Sequence, residues 1–204
     1  VSESPKPVLG LVGGIGSGKS AVAAELTRHG GCLINADLLG HEALRQADIK
    51  KQVVAHFGQD ILDKRVAIDR KKLGAKVFTD VSELRVLEAI VFPFIGQRIR
   101  AEIDKARRRA EIHFIVLDAA IMLESSWSGV CDKLIFVDAP FEIRRARVQQ
   151  QRGWSEAELR ARENLQWPLD EKKRRADAVL DNSTTQATLA DQVSRLLRSW
   201  SLLA

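Results

Sequence analysis

The 204-residue chain has no apolar run near the ~18 residues that a membrane-spanning helix needs, so no helical span is expected. It has only two cysteines, Cys32 and Cys131, each in or beside an apolar strand candidate. Two cysteines in such contexts do not make a disulfide framework. The reading is a pair of reduced thiols in a cytoplasmic protein. The four histidines, His29, His41, His56 and His113, lack metal-ligand spacing, so no metal cage is expected from them. Internal repeats and low-complexity segments are also missing, which excludes a solenoid. Residues 1–7 are polar, contain two prolines and have no signal-peptide apolar stretch; they are expected to form a disordered leader.

What is present fits one globular domain with room for a small insertion: 45% hydrophobic and 29% charged residues. The net charge of +5 is compatible with nucleic acid or with a small polyanion as partner. The basic runs at residues 107–109 and 172–175 come without a nucleic-acid-binding motif. They are read as solvated helix faces, with no nucleic acid and no membrane among the partners.

Five short apolar segments, at about 8–12, 32–35, 113–118, 133–137 and 178–180, read as strands. Helical stretches separate most of them, the pattern of an α/β protein with a parallel sheet covered on both faces. A helix over 19–28 ends at Gly30-Gly31, and another over 48–57 ends at Gly58. Asp69 and Ser82 are expected helix caps. Pro93 is expected in the first turn of a long helix reaching about Ala110. Ser155 and Glu158 have capping-box spacing for a helix to about Gln166, and residues 187–203 form an amphipathic terminal helix. The second and third strands lie about 75 residues apart, whereas a crossover needs only a dozen or so. The intervening helices therefore read as a subdomain. The basic segment at about 147–175 is also oversized and reads as a lid.

The residues Gly13-x-x-x-x-Gly18-Lys19-Ser20 fit the phosphate-binding loop pattern G-x-x-x-x-G-K-[ST] without mismatch, after a strand and before a helix. Glycines let backbone amides approach phosphate oxygens, and the helix N-terminus adds the positive end of a dipole. Lys19 can reach the β- and γ-phosphates and the Ser20 hydroxyl can hold Mg²⁺. Gly14, Ile15, Gly16, Ser17 and Gly18 complete the cradle. No base-reading Asn-Lys-x-Asp of a GTPase is present, and no Asp-Glu pair follows Asp118 at the third strand's end. The pattern thus points to ATP and a small-molecule kinase. Asp37 follows the second strand, where ligand sites of open α/β sheets lie. Spacing alone leaves two roles open for it: proton acceptor from an attacking hydroxyl, or cap of the following helix.

At this level of detail the chain resembles the dephospho-CoA kinase family. The resemblance rests on "GLVGGIGSGKS" at residues 10–20, "NADLLG" at 35–40, "HFGQDIL" at 56–62 and "IDRKKLGAKVF" at 68–78. It continues with "QRG" at 151–153, "ENLQ" at 163–166 and "DEKKRRADAVLDN" at 170–182. It implies a P-loop kinase fold with a five-stranded parallel sheet in the order 2-3-1-4-5. The nucleotide-binding core would span 8–37 and 111–204, and a helical CoA-substrate insert 38–110. The implied reaction is ATP-dependent phosphorylation of the ribose 3′-hydroxyl of dephospho-CoA, giving CoA and ADP in the last step of coenzyme A synthesis. The resemblance implies Asp37 as catalytic base or hydroxyl positioner, Lys19 as phosphate-binding lysine and Arg147 as phosphate clamp, with Arg144, Arg145 and Arg152 as neighbouring alternatives for the clamp. It also implies Asn182 beside the adenine, and Mg²⁺ on Ser20 with Asp118 orienting one of its waters.

Three positions depart from the family pattern. Asn35 stands for the first aspartate of Asp-x-Asp, Phe92 precedes Pro93 where the family has histidine, and Ala120 replaces a proline after the third strand. They motivate two rival readings, a P-loop kinase for another acceptor and an ATP-binding homologue with impaired catalysis. Oligomeric state is not legible in the sequence.

Overall fold

The computed structural model describes residues 5–78, 80–125 and 127–203. Residues 1–4 of the expected leader lie outside them. Beyond that point the chain is tied down, since the Pro7 carbonyl accepts a hydrogen bond from the Ile115 amide at 2.8 Å.

Five strands, β1 (Val8–Gly13), β2 (Gly31–Asn35), β3 (Phe114–Asp118), β4 (Lys133–Asp138) and β5 (Ala178–Asp181), form one sheet in the order β2-β3-β1-β4-β5. All pairings are parallel. Every residue of β1 and β3 is buried, as central strands covered on both faces require. The edge strands β2 and β5 are partly exposed. Register brings the strand tips level: Asp118 pairs with Leu11 on one side and with Asn35 on the other. The chain turns from β1 into helix α1 (Lys19–Arg28) beside that row of tips.

The chain divides into two compact units. One comprises the residues up to Asn35 and those from Ala101 onward; the other is Ala36–Arg100. In the first unit Leu9, Leu11, Val22, Leu26, Phe114, Val116, Ile135 and Val137 form the core with Leu189, Val193 and Leu197. The last three lie on one stripe of α9 (Gln186–Ser199), with Leu196 and Trp200 packed partly buried beside them. Helices α6 (Phe141–Arg152), α7 (Glu156–Glu163) and α8 (Leu169–Arg174) occupy the oversized basic connection between β4 and β5. The Ser155–Glu158 capping box is formed at the start of α7.

The second unit is helical: α2 (Ala36–Ala43), α3 (Ala47–Phe57), α4 (Arg70–Val77) and most of α5 (Val81–Arg107). Asp69 caps α4, accepting from the amides of Lys71 and Lys72. Two helix signals resolve differently from the sequence expectation. Asp80, not Ser82, holds the start of α5, accepting from the Ser82 amide at 2.8 Å and the Ser82 hydroxyl at 2.5 Å. Pro93 lies inside α5 rather than in its first turn. A mid-helix proline forfeits one hydrogen bond and crowds the preceding turn, at about 3 kcal/mol. Val91, Ile95, Ile99 and Ile103 recur every fourth residue along α5 and are all buried, and this stripe outweighs the local cost. Among the described residues no helix is long and apolar enough to cross a membrane.

Candidate active site

The loop between β1 and α1 is built on its carbonyl side. The Ser17 carbonyl accepts from Asn182 Nδ2 at 2.8 Å and from Arg147 Nη1 at 3.2 Å. The Ile15 carbonyl accepts from Arg144 Nη1 at 3.2 Å. In a trans peptide the C=O and the following N–H point opposite ways. Holding the carbonyls of Ile15 and Ser17 from one side therefore turns the amides of Gly16 and Gly18 to the other, where an anion is received. The Ser17 side chain is fully buried, and its hydroxyl has no hydrogen-bond partner among the described residues.

Gly18 cannot be another residue here. Its φ is +86°, and a Cβ would stand 2.1 Å from Asn182 Nδ2. As N-cap of α1 it has no side chain to satisfy the first-turn amides, which leaves the positive helix end to a ligand. Lys19 Nζ lies 3.4 Å from the Gly13 carbonyl oxygen, folded back over the loop. Ser20, the next residue, is exposed.

Of the residues singled out in the sequence, the first unit brings together the loop from Gly14 to Ser20, Arg147 and Asn182. Asp118 stands at the tip of the strand next to β1 and is buried. Arg147 is engaged differently from a free clamp. Besides Ser17 it reaches the Asn182 carbonyl at 2.8 Å, so its guanidinium sews the loop to the end of β5. Asn182 is itself 7% exposed, and its amide donates to the Asp138 carbonyl. Its place beside the loop is a packing fact that only the tertiary structure carries.

Asp37 belongs to the helical unit. It is exposed, and it lies inside the first turn of α2 rather than at its cap position, so the cap alternative does not hold. His41 follows one turn later. Burial holds its imidazole below the usual range; Arg70 lowers it further, Asp37 opposes this, and Arg45 adds to the lowering. The His41 imidazole thus feels an exposed carboxylate and two arginines within the helical unit.

Two residues have contacts that sequence reasoning did not give them. Arg144, only 4% exposed, backs the loop. Glu124 holds the post-β3 turn to the segment before α8: its Oε1 accepts from Lys172 Nζ and from the Trp167 amide, each at 2.8 Å. Lys172 is 2% exposed and also donates to Gln166 Oε1 at 3.1 Å. Lys172 lies in a basic run that reads as solvated, and no local pattern marks it as buried.

Fold and loop together define a P-loop kinase: a parallel sheet ordered 2-3-1-4-5, with a phosphate cradle at the tip of its central strand. The dephospho-CoA kinase from Campylobacter jejuni shares the fold with a TM-score of 0.70 at 24% identity, covering 96% of this chain and 98% of that one. A shikimate kinase from Acinetobacter baumannii shares it more distantly, with a TM-score of 0.53 at 16% identity over 97% and 96% of the two chains. The family model for dephospho-CoA kinase matches residues 7–188. The dephospho-CoA kinase of Geobacillus kaustophilus is 39% identical over 196 residues, covering 96% of this chain and 97% of its own. That of Thermobifida fusca is 35% identical over 189 residues, 92% and 93% of the two chains. The chain belongs to the dephospho-CoA kinase family and is an enzyme with ATP as its phosphoryl donor.

Proposed function

We propose a division of labour by which this chain transfers the γ-phosphoryl group of ATP to the ribose 3′-hydroxyl of dephospho-CoA, giving CoA and ADP. The observation that carries it is the phosphate cradle, held by Ile15 and Ser17 carbonyls fixed from outside, in a chain of this family.

The amides from Gly14 to Ser20 bind the triphosphate, and Lys19 leaves the Gly13 carbonyl to neutralise charge on the β- and γ-phosphates. Asn182 lies beside the adenine, which its tie to Ser17 favours. Arg147 keeps the loop and Asn182 in register and adds positive charge next to the transferring group. Asp37, two residues past the last residue of β2, takes the proton of the attacking hydroxyl. The helical unit Ala36–Arg100 binds the acceptor, and the basic segment at about 147–175 closes over the nucleotide and keeps water from competing with the alcohol.

The residues fit Mg²⁺, which takes oxygen ligands and keeps several waters beside substrate phosphates. Ser20 offers a hydroxyl at the start of α1, and Asp118 offers a carboxylate on the neighbouring strand tip for a bound water. When bound, the ion supplies charge neutralisation on the phosphates. The protein's place is the cytoplasm, where ATP is supplied.

The test is ADP release with dephospho-CoA, AMP, cytidylate and adenosine as acceptors. Turnover with dephospho-CoA should exceed that with each of the others. Preference for another acceptor would support the rival kinase, and nucleotide binding without any acceptor-dependent turnover the impaired homologue.

A further inference from the structure

Arg144 is the fourth residue of α6, and its side chain is 5% exposed. A guanidinium cannot shed its charge, and burying it without partners is costly, so its partners define its job. There are three. Nε donates to the Ala139 carbonyl at 3.2 Å, and Nη1 donates both to the Ile15 carbonyl at 3.2 Å and to Glu163 Oε1. Glu163 is the last residue of α7, with its side chain 19% exposed. The contact to the loop is direct: a Cβ on Gly14 would stand 2.9 Å from Arg144 Nη1 and 3.1 Å from its Cζ. The Phe141 ring is flanked by Arg144 at 5.5 Å and by Arg160 of α7 at 4.2 Å, a second tie between α6 and α7.

We infer that Arg144 and Glu163 form a positioning pair for the donor nucleotide. Glu163 orients the guanidinium, the guanidinium holds the Ile15 carbonyl, and the Gly16 amide is thereby aimed at the triphosphate. Through the same pair α7 is fixed to the loop, so the helix and the nucleotide's phosphates sense one another. Glu163 touches no part of the loop in this chain of contacts; it acts through Arg144. The pair is private to the donor side of the reaction, because its members contact the loop, α6 and α7.

The inference rests on the reading of the loop as the ATP site. Initial rates are measured for the parent chain, Arg144→Gln, Glu163→Gln, the double variant and Arg144→Lys, varying ATP and dephospho-CoA separately, with melting temperatures recorded for each. Each single glutamine variant should raise KM for ATP about tenfold, the size of one lost charge-assisted hydrogen bond, and leave KM for dephospho-CoA at the parent value. The double variant should be no worse than the poorer single one, because the two residues act in series. Arg144→Lys keeps the charge but not all three contacts and should fall between parent and glutamine variant. Parent KM for ATP in both single variants, with only the melting temperature lowered, would overturn the pair. So would an additive double variant, or failure of Glu163→Gln to fold, which would assign the contact to the core. Absence of saturable ATP dependence in the parent chain would instead overturn the reading of the loop.

Discussion

In the proposed reaction Lys19 and Asp37 carry the chemistry, and neither is a buried residue, so their roles are separable from the fold. Lys19 lies folded over the loop and outside the described core cluster around the sheet, so Lys19→Ala should lower kcat/KM by about 10²–10³ while circular dichroism and melting temperature stay near the parent values. Near-parent turnover would refute the assignment. Asp37→Asn should keep ATP binding and cut kcat by ~10²-fold or more. Since Asp37 is exposed within the first turn of α2, the substitution should cost little stability; a lowered melting temperature with unchanged turnover would reduce Asp37 to a helix-dipole partner. Both residues were singled out in the sequence, Lys19 through a motif without mismatch and Asp37 through its position after a strand together with the family resemblance. The contacts of Arg144, Glu163, Glu124 and Lys172 were not. Their roles depend on partners up to 129 residues away, and spacing along the chain carries no trace of that.

Among the elements, the connection between β4 and β5 departs most from what composition predicts. Its charges read as a solvated face, yet Lys172 is buried against Glu124, which also receives the Trp167 amide. Removing one partner of such a pair leaves a buried charge uncompensated. Glu124→Ala should therefore cost about 3–5 kcal/mol and lower the melting temperature by roughly 10 °C. Combining Glu124→Gln with Lys172→Met, which removes the charge altogether, should be the milder change in thermal denaturation. Equal losses in the two proteins, although a glutamine oxygen can still accept from the Trp167 amide, would overturn the account of an uncompensated buried charge. Helix α5 makes the complementary point. Pro93 reads as a start signal, but the apolar stripe from Val91 to Ile103 is continuous through it. Local propensity is worth a few kcal/mol, and burial of four large aliphatic side chains outweighs it.

For the whole molecule, ligand binding and folding are linked. The phosphate cradle exists only when β1, α1, α6 and the end of β5 are assembled, so ATP binds the native state and not the unfolded chain. At 100 times its Kd, ATP should stabilise the protein by about 2.7 kcal/mol, a rise in melting temperature of roughly 5–10 °C. Differential scanning fluorimetry across an ATP series checks this, and the rise should be absent in Gly18→Ala, where a Cβ meets Asn182. An undiminished shift in that variant would place the nucleotide elsewhere.

The sequence by itself determined the five parallel strands, the helices between most of them and the phosphate loop. Hydrophobic period, glycine placement and the run Gly13 to Ser20 are local properties, readable within ten or twenty residues. Only the tertiary structure decided what stands behind the loop. A buried arginine, a buried lysine and an asparagine with a shared carbonyl are stable only where distant segments supply their partners, and desolvation makes the placement of those partners strict.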